Sequence, residues 1–328
     1  MTLYPWQIAQ WNNIRWAVEQ NRLSHALLLT GPEGMGKSHF AQALVTSLLC
    51  QSRGENLQAC GECKSCQLYR SDSHPDFFKI APEEPGKQIG VDAVRALGKF
   101  VALKPQQSIH KCILVEDTHM MNSNAANAFL KTLEEPNNNT HLILVTNQPA
   151  KLLATIKSRC QMIQFAPDLS ETSQQWVEQE LVRLNIVNCD AEQLLRMSSG
   201  APLQAIKYAQ DGTQLQIDAL SRSLSELSQN QTSAGHAAEK WLKISTESDF
   251  FVLDWYYRII HSQLLTVTSG RENISFTVSD EMSQIMSKIP IKGLFHFLDE
   301  IEKSKRAWFT QVNQRLLLEG LFLRWQNL

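Results

Sequence analysis

Through its first half the chain alternates short, continuous apolar runs with runs whose apolar residues recur at helical spacing. Ala26-Leu27-Leu28-Leu29-Thr30, Lys111-Cys112-Ile113-Leu114-Val115 and His141-Leu142-Ile143-Leu144-Val145 are of strand length and apolar nearly throughout, as strands buried on both faces of a sheet must be. Asp76-Phe77-Phe78-Lys79-Ile80 and residues 161–165 read as two more. Between them, residues 39–49, 91–101 and 124–135 have helical periodicity; in the second of these Val91, Val94, Leu97 and Val101 fall on one face. Strands alternating with helices predict an α/β fold with a parallel five-stranded sheet, its ligands gathered at the carboxyl ends of the strands. Ahead of the first strand, Ile8, Trp11, Ile14 and Trp16 predict a helix over residues 6–19 packed against this domain.

After Pro167 the strand pattern stops. Residues 171–185, 191–198 and 202–209 predict short helices around Gly200, and from residue 214 the helices are long. They include residues 252–267, rich in Trp255, Tyr256, Ile259, Ile260 and Leu264, and residues 291–328; residues 268–278, with Ser269, Gly270 and Asn273, read as a loop. The expected division is a nucleotide-binding-type domain over 1–166, a small helical part over 167–211 and an all-helical domain over 212–328. A chain of 328 residues is long enough for each to have a core.

The organising motif is Gly31-Pro32-Glu33-Gly34-Met35-Gly36-Lys37-Ser38, which fits G-x-x-x-x-G-K-[ST] between a strand and a helix. Gly31, Gly34 and Gly36 let the backbone turn with its N–H groups inward, and the helix N-terminus favours an anion. Lys37 would reach the β- and γ-phosphates of ATP, and the Ser38 hydroxyl would hold Mg²⁺. The competing reading is a glycine-rich turn without a ligand. Glu116-Asp117, directly after the third strand, stand where P-loop enzymes bind Mg²⁺ and activate water; otherwise they are solvated loop carboxylates. The fourth strand delivers Thr146-Asn147 to the same edge.

Cys50, Cys60, Cys63 and Cys66 form the second candidate site, a module at about residues 50–66. Three thiols within seven residues, and a fourth across a polar loop, match a closed four-ligand Zn²⁺ site with a structural role. Cys50 ends an apolar helix, where a lone cysteine also packs well, and His74 is the competing fourth ligand.

Composition narrows the setting. An apolar fraction of 43% is ordinary for a globular protein. A net charge of −2 speaks against a free-standing DNA binder that relies on a strong positive field. No apolar run is long enough to span a membrane, and Met1-Thr2-Leu3-Tyr4-Pro5-Trp6-Gln7 lacks the basic and apolar regions of a signal peptide. The expectation is a cytoplasmic chain with no membrane partner, whose seven cysteines are thiols or metal ligands.

Leu130-Lys131-Thr132-Leu133-Glu134-Glu135-Pro136, Ser158-Arg159-Cys160 and the four-cysteine insert together resemble the clamp-loader branch of the AAA+ family. Tyr4-Pro5-Trp6 and Gly90-Val91-Asp92-Ala93-Val94-Arg95 resemble its delta-prime members. The resemblance covers roughly the first two hundred residues. It implies an AAA+ domain, a helical lid and a C-terminal helical collar joining five subunits in a ring. The partners it implies are gamma/tau and delta subunits of DNA polymerase III, and through them a sliding clamp and primed DNA. It gives Arg159 the role of an arginine finger acting in trans on a neighbour's γ-phosphate, and lets Arg95 face a DNA backbone.

Two departures separate the chain from the hydrolysing members. These carry Asp then Glu after the third strand, whereas here the order is Glu116 then Asp117, which displaces each carboxylate by about one methylene. His119, Met120 and Met121 still resemble the motor motif. Leu203 stands where a lid arginine would contact the γ-phosphate, and an apolar side chain cannot stabilise that charge. The implied role is a stator that binds ATP–Mg²⁺ but turns it over poorly; an active gamma/tau-type ATPase is the alternative.

Overall fold

Five parallel strands, β1 (Ala26–Thr30), β2 (Phe77–Ile80), β3 (Lys111–Val115), β4 (Thr140–Thr146) and β5 (Gln161–Gln164), form one sheet in the order β2-β3-β4-β1-β5. The coordinates are a computed structural model, which describes residues 2–84, 86–134, 139–187, 189–244, 251–269, 280–308 and 312–328. β1, β3 and β4 are buried along their whole lengths, and their side chains alternate between two cores. Leu27, Leu29, Cys112, Leu114, Ile143 and Val145 face one core, with Trp11 of α1 (Ile8–Glu19) and Phe40 and Leu44 of α2 (Lys37–Leu49). Ala26, Leu28, Ile113, Val115, Leu142 and Leu144 face the other. There they meet Val94 and Leu97 of α4 (Val91–Ala102) and Phe129 and Leu133 of α5 (Ser123–Glu134); α3 (Lys64–Arg70) lies between α2 and β2 in the chain. Both faces being covered explains why these strands read as unbroken apolar runs. β5 lies at the edge and is largely exposed.

The chain divides into two compact units, Met1–Trp176 with Ala201–Gln204, and Val177–Gly200 with Ala205–Leu328. After the single turn of α6 (Ala154–Lys157) come α7 (Glu171–Arg183), α8 (Ala191–Met197) and α9 (Pro202–Gln210), the three short helices expected around Gly200. The second unit continues through α10 (Thr213–Ser228), α11 (Ala234–Ile244), α12 (Phe251–Ser269), α13 (Asp280–Lys288), α14 (Ile291–Trp308) and α15 (Gln314–Gln326). Its core is built on Trp241, Tyr256, Phe297, Phe322 and Trp325. The Trp325 indole donates to the Leu224 carbonyl at 3.1 Å and to Ser228 Oγ at 2.9 Å, so its one polar group is satisfied. Residues 291–328, expected to be helical throughout, form two helices instead. Asn313 caps the second by accepting from the backbone N–H groups of Arg315 and Leu316, which starts a new helix there. Of the loop expected over 268–278, residues 268 and 269 close α12 and the rest lie outside the described residues.

One buried carboxylate fixes the entry to β3. Asp76 is fully buried and accepts from the backbone N–H groups of Gln106 and Gln107, both at 2.7 Å, and Ser108 at 2.8 Å. Removing it takes the acceptor from three backbone N–H groups at once and empties a buried site, so Asp76→Ala is expected to destabilise the sheet-containing unit by about 3 kcal/mol. Asp76→Asn, which keeps one acceptor, should cost less. Urea unfolding of the two variants checks this, and equal midpoints for Asp76→Ala and wild type would contradict it.

Candidate nucleotide and metal sites

The loop between β1 and α2 turns through positive φ at Gly34 (80°) and Gly36 (74°). A Cβ on Gly36 would come within 2.7 Å of Gln7 Nε2 and 2.8 Å of the Tyr4 ring, so both conformation and space require glycine there. The cause of the crowding is an N-terminal clasp. Trp6 Nε1 donates to the Met35 carbonyl at 3.1 Å, and Gln7 Nε2 donates to the Met35 and Gly36 carbonyls at 2.9 Å each. Tyr4 stacks flat on Trp6, and both meet the edge of Trp176. Nothing in the G-x-x-x-x-G-K-S motif reveals this clasp. Its one sequence signal is Gln7, a buried amide directly after the Tyr-Pro-Trp triplet.

The loop borders a cleft of about 600 Å³ that also takes in Lys37, Ser38, Asp117, His119, Asn147 and Leu203. Residues following β1, β3 and β4 thus converge at the carboxyl edge of the sheet, as parallel topology demands. Lys37 is buried, and its Nζ donates to the Pro32 carbonyl at 2.6 Å. Burial lowers its pKa to about 8, against the opposing pull of Glu33 and Asp117. Phosphate oxygens entering the loop would take over from Pro32 and restore the favourable environment of the charge.

The two carboxylates after β3 part company. Asp117 lies in the left-handed region (φ 45°) and lines the cleft. Glu116 turns to β2, where Lys79 Nζ stands 3.4 Å from its Oε1. The pair at the end of β4 divides similarly. Thr146 is buried, with its hydroxyl 3.2 Å from His119 Nδ1 and accepting from the Gln148 N–H. Asn147 lines the cleft, with a buried Oδ1 that has no hydrogen-bond partner among the described residues. Leu203 is fixed beside the phosphate loop by its N–H to the Gly34 carbonyl at 3.1 Å.

Arg159 sits at the other edge of the sheet, just before β5 begins. β5 pairs in parallel with β1, with Leu27 opposite Gln161 and Thr30 opposite Gln164. The full strand, about 13 Å at ~3.3 Å per residue, therefore separates Arg159 from its own phosphate loop. Its guanidinium makes a 2.6 Å ion pair with Glu134 at the end of α5 and donates to the Thr155 carbonyl at 3.0 Å. The two signature stretches around Lys131 and Arg159 thus meet in space; Glu135 and Pro136 of the first lie outside the described residues. Arg95, on α4, is 73% exposed and pairs with Asp92 at 3.1 Å.

The four sulfurs of Cys50, Cys60, Cys63 and Cys66 lie within 4.8 Å of one another and could hold a metal ion. Cys50 Sγ is 3.5 Å from that of Cys60 and 3.9 Å from that of Cys63, and the Cys60–Cys66 separation is 4.0 Å. A tetrahedron with metal–sulfur bonds of about 2.3 Å has edges of about 3.8 Å, close to these three separations, so the donor set could take Zn²⁺. The backbone N–H of Cys63 donates to Cys60 Sγ and lowers the Cys60 pKa, whereas burial pushes the Cys66 thiol up to about 12. A dication is what would allow that thiol to ionise. His74 is engaged elsewhere: its Nδ1 accepts from the Asp76 N–H at 3.0 Å, and its Nε2 is 2.6 Å from Ser65 Oγ. The intervening loop is latched to the nucleotide unit where Trp11 Nε1 donates to the Asn56 carbonyl and Ser47 Oγ to that of Leu57.

The parallel sheet, phosphate loop and strand order define an AAA+ protein with a four-thiol module. Residues 6–169 match the family profile described as "DNA polymerase III, delta subunit". DNA polymerase III subunit delta' of Pseudomonas aeruginosa is 35% identical over 99% of this chain and 98% of its own length. The Escherichia coli K12 protein of the same name is 35% identical over 64% of this chain and 62% of its own length. Among solved structures, a DNA polymerase III gamma subunit-related protein of Thermotoga maritima aligns over 97% of this chain and 99% of its own, at 20% identity and a TM-score of 0.44. The chain belongs to the DNA polymerase III delta' family. No helix among the described residues is long and apolar enough to cross a membrane.

Titrating the reduced, metal-free protein with Co²⁺ should give intense thiolate-to-metal absorption that saturates at one equivalent and is displaced by Zn²⁺. Cys60→Ser should weaken it strongly. Undiminished absorption in that variant would exclude the four-sulfur arrangement.

Proposed function

We propose that this chain is the stator of a clamp loader in the DNA polymerase III holoenzyme. It supplies Arg159 in trans to the ATP site of an adjacent gamma/tau subunit. The observation that carries the reading is the placement of Arg159 at the sheet edge opposite its own phosphate loop. From there it cannot serve its own nucleotide, but it is only partly covered and held by a single carboxylate, Glu134, which a phosphate could replace. The work is shared with a delta subunit in a five-membered ring that opens a sliding clamp at primed DNA, in the cytoplasm. Residues 212–328 act as the collar and residues 167–211 as the lid. The four thiols hold a structural Zn²⁺, and Arg95 offers a phosphate contact that positions DNA without reading its sequence.

The chain's own cleft supports binding of ATP–Mg²⁺ rather than turnover. Gly34, Gly36, Lys37 and Ser38 line the cradle that Gly31 opens, with Thr146 supporting it through His119. Asp117 is the carboxylate that faces the cleft, one methylene shorter than the base of a hydrolysing member, and a misplacement of roughly 1 Å costs on the order of 10²-fold. Leu203 adds no charge where a motor has an arginine. A second reading, an active gamma/tau-type ATPase, draws on the same Asp117 facing an intact Lys37 and Ser38.

DNA-stimulated ATP hydrolysis by the reconstituted assembly separates the two. With the other subunits wild type, Arg159→Ala should slow hydrolysis, by as much as about 10³-fold at the one site it serves, while Lys37→Ala leaves the rate unchanged. A rate that falls with Lys37→Ala and not with Arg159→Ala would make the chain a motor.

A further inference from the structure

A second cavity lies at the amino edge of the sheet, away from the phosphate-loop cleft. Its volume is about 330 Å³, and its lining includes His25, Arg53, His110, Thr140 and His141. These come from the residue before β1, the loop of the cysteine module, the residue before β3 and the first two residues of β4. The chain carries 33 acidic residues and a net charge of −2, yet no Asp or Glu among the described residues lines this cavity. Asn21 and Asn139 add further donors. The described wall is a concentration of cationisable and hydrogen-bond-donating groups with no carboxylate among them.

The contacts of the imidazoles agree with one set of tautomers. His141 Nδ1 lies 3.5 Å from the Ser24 carbonyl, which can only accept, so a hydrogen bond there puts the proton on that nitrogen. Its Nε2 then accepts from His110 Nδ1 at 3.2 Å, which leaves His110 Nε2 as a bare lone pair. His25 donates through Nε2 to the Leu133 carbonyl at 3.1 Å, leaving its Nδ1 bare. The His110 Nε2 becomes a donor on taking up a proton. Burial, together with the Arg53 charge, disfavours that proton on His110; burial, with His110 and His25 beside it, disfavours one on His141. An anion in the cavity reverses the sign of the local potential and so favours both.

A buried hydroxyl is an independent pointer. Thr140 is 2% exposed, and its Oγ1 has no hydrogen-bond partner among the described residues. Buried polar groups are seldom left unpaired, and one in a cavity wall implies something that fills the place. The cavity is of the size that holds a small molecule.

We propose that this cavity binds a small phosphate-class anion, with Arg53 as its fixed charge, Thr140 Oγ1 as a hydrogen-bond partner, and the His110–His141 pair as donors recruited by protonation. Because Arg53 belongs to the loop between Cys50 and Cys60, the bound anion would tie the cysteine module to the strand ends. The site is separate from the phosphate loop and does not depend on the role proposed for Arg159.

Calorimetric titration of the full chain with inorganic phosphate, pyrophosphate and sulfate tests the proposal. The chain carries Lys37→Ala so that the phosphate loop does not contribute. One equivalent should bind, with millimolar or tighter affinity and net proton uptake. Sulfate, whose charge is constant between pH 6 and 8, should bind at least several-fold more tightly at pH 6, which assigns the pH dependence to the imidazoles. Arg53→Gln, at an exposed position, should weaken binding about tenfold, the scale of one lost charge-assisted contact. Thr140→Val, which preserves shape, should weaken it less. The ring-proton NMR signals of His110 and His141 should move as phosphate is added. A preference for pyrophosphate over phosphate would identify the ligand as a diphosphate and equal affinities a single phosphoryl group, either of which supports the site. Absence of saturation at 10 mM of any of the three, or affinity indifferent to Arg53→Gln, would overturn it.

Discussion

A parallel sheet has two unlike edges, and most of what this chain can do follows from which residues stand at which edge. All the strands run the same way, so whatever follows β1, β3 and β4 is delivered to one side and whatever precedes them to the other. The phosphate loop, Asp117 and Asn147 are the followers; Arg159 precedes β5. No side-chain rotation brings the arginine across a strand about 13 Å long. On the role proposed for Arg159, a chain built this way would keep one half of a phosphoryl-transfer site for itself and offer the other half outward. That is the physical reason for reading Arg159 as a group acting on a neighbour.

The phosphate loop is held from more than one direction. Gly36 accepts close contacts because Trp6 and Gln7 clasp the Met35 and Gly36 carbonyls and the Tyr4 ring packs beside it, while the Leu203 N–H reaches Gly34 from the other flank. α2 begins at Lys37 and ends against Cys50, so one rigid helix joins the phosphate loop to the four-thiol cluster. The loop between Cys50 and Cys60 is in turn latched to α1 through Trp11. A metal in the cluster would stiffen both ends of this frame. Such bracing would suit the proposed role, in which the cleft holds its shape rather than cycling through hydrolysis.

Much of this was legible in the residues themselves. The strands announced themselves because burial on both faces forces unbroken apolar runs, and the cysteine spacing already had the geometry of a tetrahedron. What the pattern could not show was direction. Glu116 and Asp117 are adjacent in sequence, yet a left-handed turn at Asp117 sends one to the cleft and leaves the other on Lys79. Thr146 and Asn147 likewise divide their tasks by strand alternation and by His119, which becomes a neighbour only in the folded chain. The break between α14 and α15 escaped notice because an Asn cap is a local hydrogen-bond event inside an otherwise helical pattern. The ion pair between Glu134 and Arg159 links residues far apart in the chain, and no periodicity reports such a meeting.

In the proposed role, Arg159 leaves Glu134 for a neighbour's γ-phosphate. The most direct measurement is a structure of the assembled loader on primed DNA, trapped with ADP and a fluoride mimic of the transferring phosphoryl group. The account predicts the Arg159 guanidinium within hydrogen-bond distance of that mimic in the adjacent subunit, with its ion pair to Glu134 broken. An Arg159 still paired with Glu134 and facing solvent, beside a fully occupied neighbouring site, would contradict it.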